Sequence, residues 1–406
     1  MNSQNQLQTM NIRTWLALII LALSTFTIVT TELAPVGLLS PMANGLNVSE
    51  SQIGMTVSFY AWVGAISALI ASIFLGNVPK KWLLIILTLI LFCSNILTAL
   101  VDSYSILLIA RVIGALAHGA FWAMIGATAV ALVPSKYIGV ATSIVFGGVS
   151  AASVFGVPLS NYIGINLGWR EAFWFMSGLS LVTFIGILIL VPNISSNSTI
   201  GLSSLKKVLK SSTLWKIYSA TLLTITAHFA AFTYIEPLLH SQSLLKEQLI
   251  PLTLFIFGLA GLFGNFITGL IIDKNIKLTV SISILLIFSV LTYIGIHTSP
   301  LSLVSIVTLV IIWGLSVSGI FVGFQTWVLK LSGDDVFPAS SMYVSFFNIA
   351  IGIGATLGAW IVAHYPISSL YLIAGIAIGL SLFLVALIPS SAKEIDFNLE
   401  NEYETN

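Results

Sequence analysis

Five ionisable side chains lie inside long apolar stretches of this 406-residue chain. They are Glu32, Arg111, His118, His228 and Glu236. An ionisable group inside lipid costs at least about 2.5–3.5 kcal/mol on insertion scales, so each of these residues needs a partner or a function. Because carboxyl and imidazole groups can gain and lose a proton, the set predicts a site that handles protons.

Glu32 lies three residues before Pro35 in the first apolar stretch, and Arg111 lies about 10 Å into the fourth at the helical rise of 1.5 Å per residue. Burial favours the neutral carboxyl group, whereas a nearby guanidinium favours the carboxylate. A carboxyl group under both influences can change its protonation state. We therefore predict a Glu32–Arg111 pair that couples proton movement; the alternative is a permanent ion pair that only fixes helix packing.

Arg111, His118 and Trp122 are spaced i, i+7 and i+11, which places them on one face of the fourth helix. His118 falls near the middle of the membrane and suits a proton relay or a hydrogen bond to a hydroxyl group. It can equally serve as a hydrogen-bond partner between helices. Trp122 can stack on a solute ring and donate its N–H, although core packing explains a single aromatic residue equally well.

Glu236 precedes Pro237 in the seventh stretch, as Glu32 precedes Pro35 in the first. Proline invites a helix bend, and a bend beside a carboxylate predicts a gate at the outer side. The alternative for Glu236 is a position in interfacial water without a role. His228 lies about 12 Å deeper on a similar face and is a candidate for a central cavity.

The composition predicts a membrane protein, with 57% hydrophobic residues, 7% charged residues and a mean hydropathy of +1.05. Soluble domains carry about 25% charged residues. A net charge of +1 argues against a nucleic-acid surface, and the single cysteine, Cys93, excludes disulfides within the chain. The sequence has no P-loop, zinc-binding HExxH or nucleophile-elbow motif, so we expect neither an enzyme nor a cofactor.

Twelve apolar stretches are long enough to span a bilayer as helices, so the predicted fold is an all-α polytopic membrane protein. The predicted spans are 14–42, 53–76, 82–101, 105–132, 138–165, 171–191, 214–240, 249–272, 278–297, 301–329, 338–363 and 367–389. The first is too long for the apolar region of a signal peptide. With the N-terminus inside, 12 of the 15 Lys and Arg residues fall in cytoplasmic segments, so we expect both termini in the cytoplasm.

The polar stretch in the middle of the chain divides it into two sets of six spans. We predict an N-terminal bundle at 1–192, a cytoplasmic linker at 193–213, a C-terminal bundle at 214–390 and an acidic cytoplasmic tail at 391–406. Two pseudo-symmetric six-helix bundles that rock about a central site are typical of transporters.

Several motifs resemble those of the major facilitator superfamily. Gly269, Asp273 and Lys274 are similar to its loop signature after the eighth span, Arg111-Val-Ile-Gly114 to its intramembrane arginine, and Gly156-Val-Pro158 to the signature of its drug:proton antiporter branch. The resemblance implies the major facilitator fold and a gating loop made by Gly269, Asp273 and Lys274.

More specific strings resemble the bacterial sugar efflux transporters. These are Thr30-Thr31-Glu32-Leu33-Ala34-Pro35, Tyr60-Ala61-Trp62-Val63, Ala117-His118-Gly119-Ala120-Phe121-Trp122 and Tyr234-Ile235-Glu236-Pro237. The resemblance implies a monomer in the bacterial inner membrane that exports arabinose and small galactosides in exchange for protons. Export as the direction of transport follows from this resemblance alone.

The site residues expected for that function form two sets. Glu32, Arg111, His118 and Glu236 are the candidates for proton coupling, and His118, Trp122, His228, Gln325 and Asn348 are those for substrate binding. The imidazole and amide groups of the second set suit sugar hydroxyls, although Gln325 and Asn348 can equally hold helices together. The alternatives are an antiporter of drugs or other small amphiphiles and, more remotely, a membrane sensor that does not transport.

Overall fold

The computed structural model describes residues 11–75, 78–134, 137–194, 202–272, 274–297, 299–332 and 336–389, and within these ranges the chain is helical without strands. The helices are α1 (Ile12–Gly37), α2 (Leu39–Leu46), α3 (Glu50–Phe74), α4 (Lys80–Leu100), α5 (Tyr104–Ala131), α6 (Ile138–Ala151), α7 (Val157–Asn166), α8 (Trp169–Leu190), α9 (Leu202–Lys210), α10 (Ser212–Phe232), α11 (Ile235–Ser241), α12 (Ile250–Ile271), α13 (Ile276–Ile296), α14 (Leu303–Leu331), α15 (Val336–His364) and α16 (Ile367–Ala386). A π-helical turn at Ala152–Gly156 joins α6 to α7, and a 3₁₀ turn at Glu247–Leu249 precedes α12.

Eleven helical segments of the described chain are long and apolar enough to cross a membrane. The bent pair of α10 and α11, with an angle of 41° between its members, makes twelve when it is counted as one span. The predicted twelve-helix membrane fold is confirmed.

Three of the predicted spans are not regular helices. The first, predicted at 14–42, breaks at Leu38, and the seventh, predicted at 214–240, breaks between Phe232 and Ile235. Pro237 falls in the first turn of α11, where its missing N–H leaves no helical hydrogen bond unmade. In the fifth, the π-helical turn comes just before Pro158, which cannot supply a regular helical hydrogen bond to the preceding turn.

The helices pack as two groups, α1–α8 and α10–α16. The main contacts within the first group are α3 with α5, α4 with α8 and α1 with α6, and those within the second are α13 with α16, α12 with α14 and α10 with α15. The groups meet where α3 packs on α15 and where α12 packs on α7 and the π-helical turn. We call the end of the bundle that carries α2 and α11 the outer end, after the predicted orientation.

The predicted linker contains α9, which packs against α15 and α10. Residues 195–201, within that linker, and the predicted acidic tail at 391–406 lie outside the described residues.

One close helix contact fixes the position of His118. A Cβ atom on Gly119 of α5 would overlap the main-chain carbonyl of Gly64 on α3. The two helices therefore approach closely because residue 119 has no side chain. This approach presses the neighbouring His118 against the face of α3 that carries Tyr60.

Candidate functional site

Arg111 is held by main-chain carbonyl groups that a proline helps to expose. Pro35 lies inside α1 and has no N–H, so the carbonyl of Thr31, four residues earlier, lacks its helical hydrogen bond. Arg111 Nη1 donates to that carbonyl at 2.8 Å, and Nη2 donates to the carbonyl of Glu32 at 3.0 Å. Arg111 and Glu32 are thus in contact, but through the main chain of Glu32 and not through its carboxylate.

The carboxylate of Glu32 faces His118 instead. Glu32 Oε2 lies 3.6 Å from His118 Nε2, and the two residues are 8% and 2% exposed, whereas Arg111 is fully buried. Glu32 on α1 and His118 on α5 are far apart in the sequence, and the fold brings them together among non-polar helices. In such surroundings the charges of a carboxylate, an imidazole and a guanidinium influence one another strongly.

Tyr60 from α3 completes this cluster. The Arg111 guanidinium carbon lies 4.2 Å from the centre of the Tyr60 ring, and the His118 ring meets the same ring edge-on at 5.3 Å. The Tyr60 hydroxyl, Arg111 Nε and His118 Nδ1 are buried and have no hydrogen-bond partner among the described residues. Buried polar atoms normally bind some partner, so these three can accept or donate to water or to a solute hydroxyl.

Trp122 extends the cluster by one helical turn along α5. Its ring meets His118 edge-on at 6.1 Å and stacks on Phe146 of α6 at 6.1 Å with 29° between the planes. Trp122 is half-buried, so part of the indole faces open space. The sequence-predicted face of Arg111, His118 and Trp122 is thus a continuous surface of α5.

His228 lies in an aromatic cluster of the second group. Trp313 Nε1 donates to His228 Nδ1 at 3.2 Å, which places the proton of a neutral imidazole on Nε2. The ring stacks on Phe232 at 5.5 Å and meets Phe229 and Phe321 edge-on. His228 is only 2% exposed, so aromatic rings and not polar groups form most of its surroundings.

Gln325 on α14 and Asn348 on α15 are half-buried, and Asn348 donates to the carbonyl of Val344 on its own helix. Within the described chain, neither side chain is hydrogen-bonded to His118 or His228.

Glu236 belongs to a different set of contacts at the outer end. Its Oε2 accepts hydrogen bonds from the main-chain N–H of Ser40 at 3.0 Å and from Ser40 Oγ at 2.9 Å. Its Oε1 lies 2.7 Å from Nε2 of His240, one turn further along α11. The residue is fully buried, so it does not lie in interfacial water.

The sequence matches the family model described as "Major Facilitator Superfamily" over residues 15–336. The chain belongs to the Major Facilitator Superfamily. It is therefore a multi-pass membrane transporter, and the resemblance drawn from its motifs is confirmed at the level of the superfamily.

Solved structures share the superfamily fold at low sequence identity. A point mutant of the nucleoside transporter NupG superposes with a TM-score of 0.73 at 17% identity, and the match covers 92% of this chain and 99% of that one. The human organic anion transporter MFSD10 (TETRAN) superposes with a TM-score of 0.66 at 15% identity, and the match covers 93% of this chain and 100% of that one. At such identities the likeness shows the fold alone.

The superfamily loop after α12 is described only in part. Gly269 is exposed with open space beside it, and Lys274 is exposed in the turn before α13. Asp273 lies outside the described residues, so the gating role of the three residues stays a prediction.

Sequence reasoning gave no role to several residues that the structure places in these clusters. Tyr60 lies in one of the strings that carried the resemblance, and Ser40 lies shortly after another. Their contact partners are on other helices, so the strings alone did not indicate their roles. His240 carried a usable signal, because it follows Glu236 at the helical spacing of four.

Proposed function

We propose that this superfamily member exports sugars of the arabinose and small-galactoside class from the cytoplasm in exchange for protons. The observation that carries the proposal is the buried contact of 3.6 Å between Glu32 and His118 beside Arg111. A carboxyl group in that position is a proton site, and the adjacent imidazole can bind either the carboxylate or a solute hydroxyl. The basic residues on one side support both termini in the cytoplasm of a bacterial inner membrane.

Exchange follows when proton and sugar compete for the same neighbours. A sugar hydroxyl that donates to the Glu32 carboxylate needs that carboxylate to be ionised, whereas a proton on Glu32 removes this hydrogen-bond acceptor. Each ligand thereby changes the affinity for the other, and this coupling is reciprocal at equilibrium. Arg111 stays bound to the carbonyls of Thr31 and Glu32 in both situations.

A sugar as substrate is supported by the surface next to this proton site. The half-buried indole of Trp122 offers a flat apolar face and an N–H donor beside His118. Sugar rings combine C–H faces with hydroxyl groups, so they suit such a surface. The unpartnered atoms of Tyr60, Arg111 and His118 supply further polar groups nearby.

Proton-coupled export of small amphiphiles is the second candidate, and one feature favours it. His228 is surrounded by Phe229, Phe232, Phe321 and Trp313, which present apolar ring surface and few polar atoms. A cavity that reaches this cluster would bind aromatic or lipophilic molecules more readily than sugars.

Transport by purified protein in proteoliposomes tests the proposal. With an imposed pH gradient, we expect movement of radiolabelled arabinose and of a small galactoside against the proton flow, and no comparable movement of lipophilic dyes. Dye movement without sugar movement would establish the second candidate and reject the first.

The Glu32→Gln variant tests the proton site. Because glutamine cannot bind and release the proton, we expect gradient-driven transport to fall at least about tenfold, while exchange of labelled for unlabelled sugar without a gradient continues. The matched control is Glu171→Gln, which removes an exposed carboxylate at the start of α8. Full gradient-driven transport by Glu32→Gln would exclude Glu32 as the coupling residue.

A further inference from the structure

A buried amide group on α4 lies behind the candidate site. Asn95 is fully buried, on a helix that carries none of the expected site residues. Its Nδ2 donates to Thr31 Oγ1 on α1 and to Ser180 Oγ on α8, both at 3.2 Å. Because α4 packs mainly against α5 and α8, the bond to Thr31 is a polar link that reaches across to α1.

The hydroxyl hydrogen of Ser180 fixes the orientation of this amide. Ser180 Oγ donates it to the carbonyl of Met176 at 2.8 Å. Ser180 therefore accepts from Asn95, so the nitrogen and not the oxygen of the amide faces Ser180. The second N–H of Nδ2 is left for Thr31. Asn95 Oδ1 is buried and has no hydrogen-bond partner among the described residues, so the two N–H groups make the link.

Thr31 joins this link to the candidate site. Its hydroxyl accepts from Asn95, and its main-chain carbonyl accepts from Arg111 Nη1 at 2.8 Å. Pro35 supplies no N–H to that carbonyl, so bonds from α4 and α5 hold Thr31 where its own helix does not. Glu32 follows directly in the chain. The orientation of α1 at Thr31 therefore sets the direction of the Glu32 carboxylate.

The residue before Asn95 holds the other side of the Arg111 contact. Ser94 Oγ donates to the carbonyl of Ala110, which directly precedes Arg111 in α5, at 2.7 Å. A Cβ atom on Gly114, three residues after Arg111, would overlap Ser94 Oγ. The helices α4 and α5 thus approach closely here. Two adjacent polar side chains of α4 bind the chain on both sides of the bond between Arg111 and Thr31.

We propose that Asn95 is a positioning residue of the proton site. By donating to Thr31 it fixes α1, so that the carbonyls of Thr31 and Glu32 meet Arg111 and the Glu32 carboxylate meets His118. Asn95 acts through Thr31 and binds neither the proton nor the solute. Its effect on transport rests on the proposed function of Glu32, whereas its effect on Arg111 does not and can be measured separately.

The guanidinium nitrogens of Arg111 report this effect without any transport. The chain contains three arginines, Arg13, Arg111 and Arg170, so nitrogen-15-labelled arginine gives few side-chain signals in lipid nanodiscs, and Arg13→Lys and Arg170→Lys assign them. Two bonds to carbonyls oppose rotation of the Arg111 guanidinium, so we expect separate Nη1 and Nη2 signals. In Asn95→Ala we expect this rotation to become about fivefold faster, as loss of one neutral hydrogen bond implies.

Arg170 distinguishes positioning from a general displacement of α4. Its Nη2 donates to the carbonyl of Val101, directly after α4, at 2.9 Å. If Asn95 only packed the helices together, its loss would alter the signals of Arg170 as well as those of Arg111. We expect the Arg170 signals to be unchanged in Asn95→Ala. An equal change at both arginines would overturn the proposal.

Thr31→Val gives the same information if Asn95→Ala does not fold. Valine keeps the main-chain carbonyl and the branched shape but removes the acceptor, so we expect the same faster rotation of the Arg111 guanidinium. The double variant is expected to equal either single variant, because all three remove the same bond. Thr31→Ser keeps the hydroxyl and is expected to keep separate signals.

Thr88→Val is the matched control on the same helix. It removes a buried hydroxyl of α4 that donates only to carbonyls of its own helix, those of Leu84 and Ile85. We expect the Arg111 signals to be unchanged. Faster rotation in Thr88→Val to the same extent as in Asn95→Ala would overturn the proposal, as would unchanged Arg111 signals in both Asn95→Ala and Thr31→Val.

Transport by proteoliposomes tests the consequence for coupling. Asn95→Ala is expected to lower gradient-driven sugar transport about fivefold, while exchange of labelled for unlabelled sugar without a gradient continues. An equal fall of both activities together with a lower unfolding temperature would show a packing role and overturn the proposal. If the unmodified protein moves no sugar, the proposed function is wrong, and the Arg111 signals still decide whether Asn95 positions Arg111.

Discussion

At the scale of single residues, a proline and an arginine on different helices act as one unit. Pro35 leaves the carbonyl of Thr31 without a helical donor, and Arg111 binds it. Both residues were visible in the sequence, and so was the need of a buried arginine for partners. The expected Glu32–Arg111 contact is made through the main-chain carbonyl of Glu32. The sequence did not predict this geometry, because a carboxylate is visible in a sequence whereas a carbonyl that lacks its donor is not.

Pro35→Ala tests this unit. The new N–H at position 35 can bind the carbonyl of Thr31 and compete with Arg111, whose hydrogen bonds, like others of charged groups, are worth about 1.5–3 kcal/mol each. We expect the protein to fold and gradient-driven transport to fall about tenfold. Pro251→Ala is the control, because Pro251 lies in the first turn of α12, where no such carbonyl is freed. Unchanged transport by Pro35→Ala would show that the binding of Arg111 to the carbonyl of Thr31 does not depend on Pro35.

At the scale of helices, hydropathy predicted where the chain crosses the membrane but not where the helices break. The spans follow from the length of apolar runs, a local property. The breaks at Leu38 and after Phe232 depend on contacts between helices, such as that of Glu236 with Ser40. For the same reason, the sequence did not predict the contact between Glu32 and His118 or the role of Tyr60. Both depend on which helix faces meet, and helix packing decides this.

The contact between α3 and α5 is the element that positions His118. Gly119→Ala places a methyl group against the carbonyl of Gly64, and such overpacking costs about 1–3 kcal/mol. We expect a lower thermal unfolding temperature in detergent and weaker gradient-driven transport. Gly178→Ala on α8 has open space beside it and serves as the control, with equal or slightly higher stability. Equal unfolding temperatures for the two variants would contradict the packing described here.

At the scale of the whole molecule, the two groups approach closely at positions that must separate when the outer end opens. Gly258 on α12 faces the main-chain carbonyl of Ser153 in the π-helical turn of the other group. A larger residue there disturbs the contact between the groups and leaves the packing inside each group intact.

Gly258→Ala is therefore expected to lengthen the distance between spin labels at the outer end, with little change in the unfolding temperature. The labels are attached to Leu167→Cys and Leu244→Cys, two exposed positions, in a background with Cys93→Ser. Gly261→Ala, whose new methyl group would make only ordinary contacts inside the second group, is the control. A loss of stability without a change of distance would show that the contact belongs to the folded core and not to the moving interface.

The way in which Arg111 is held determines how a membrane voltage acts on the transporter. Its positive charge is bound to the uncharged main-chain carbonyl groups of Thr31 and Glu32 and not to the Glu32 carboxylate. With Glu32 as the proton carrier and a neutral His118, the centre is electrically neutral when Glu32 is ionised and carries one positive charge when Glu32 is protonated. An electric field does about 2.3 kcal/mol of work per elementary charge moved across 100 mV. Under the proposed exchange, the voltage therefore acts on the conformational step that carries the proton, and the return step with sugar is electrically silent.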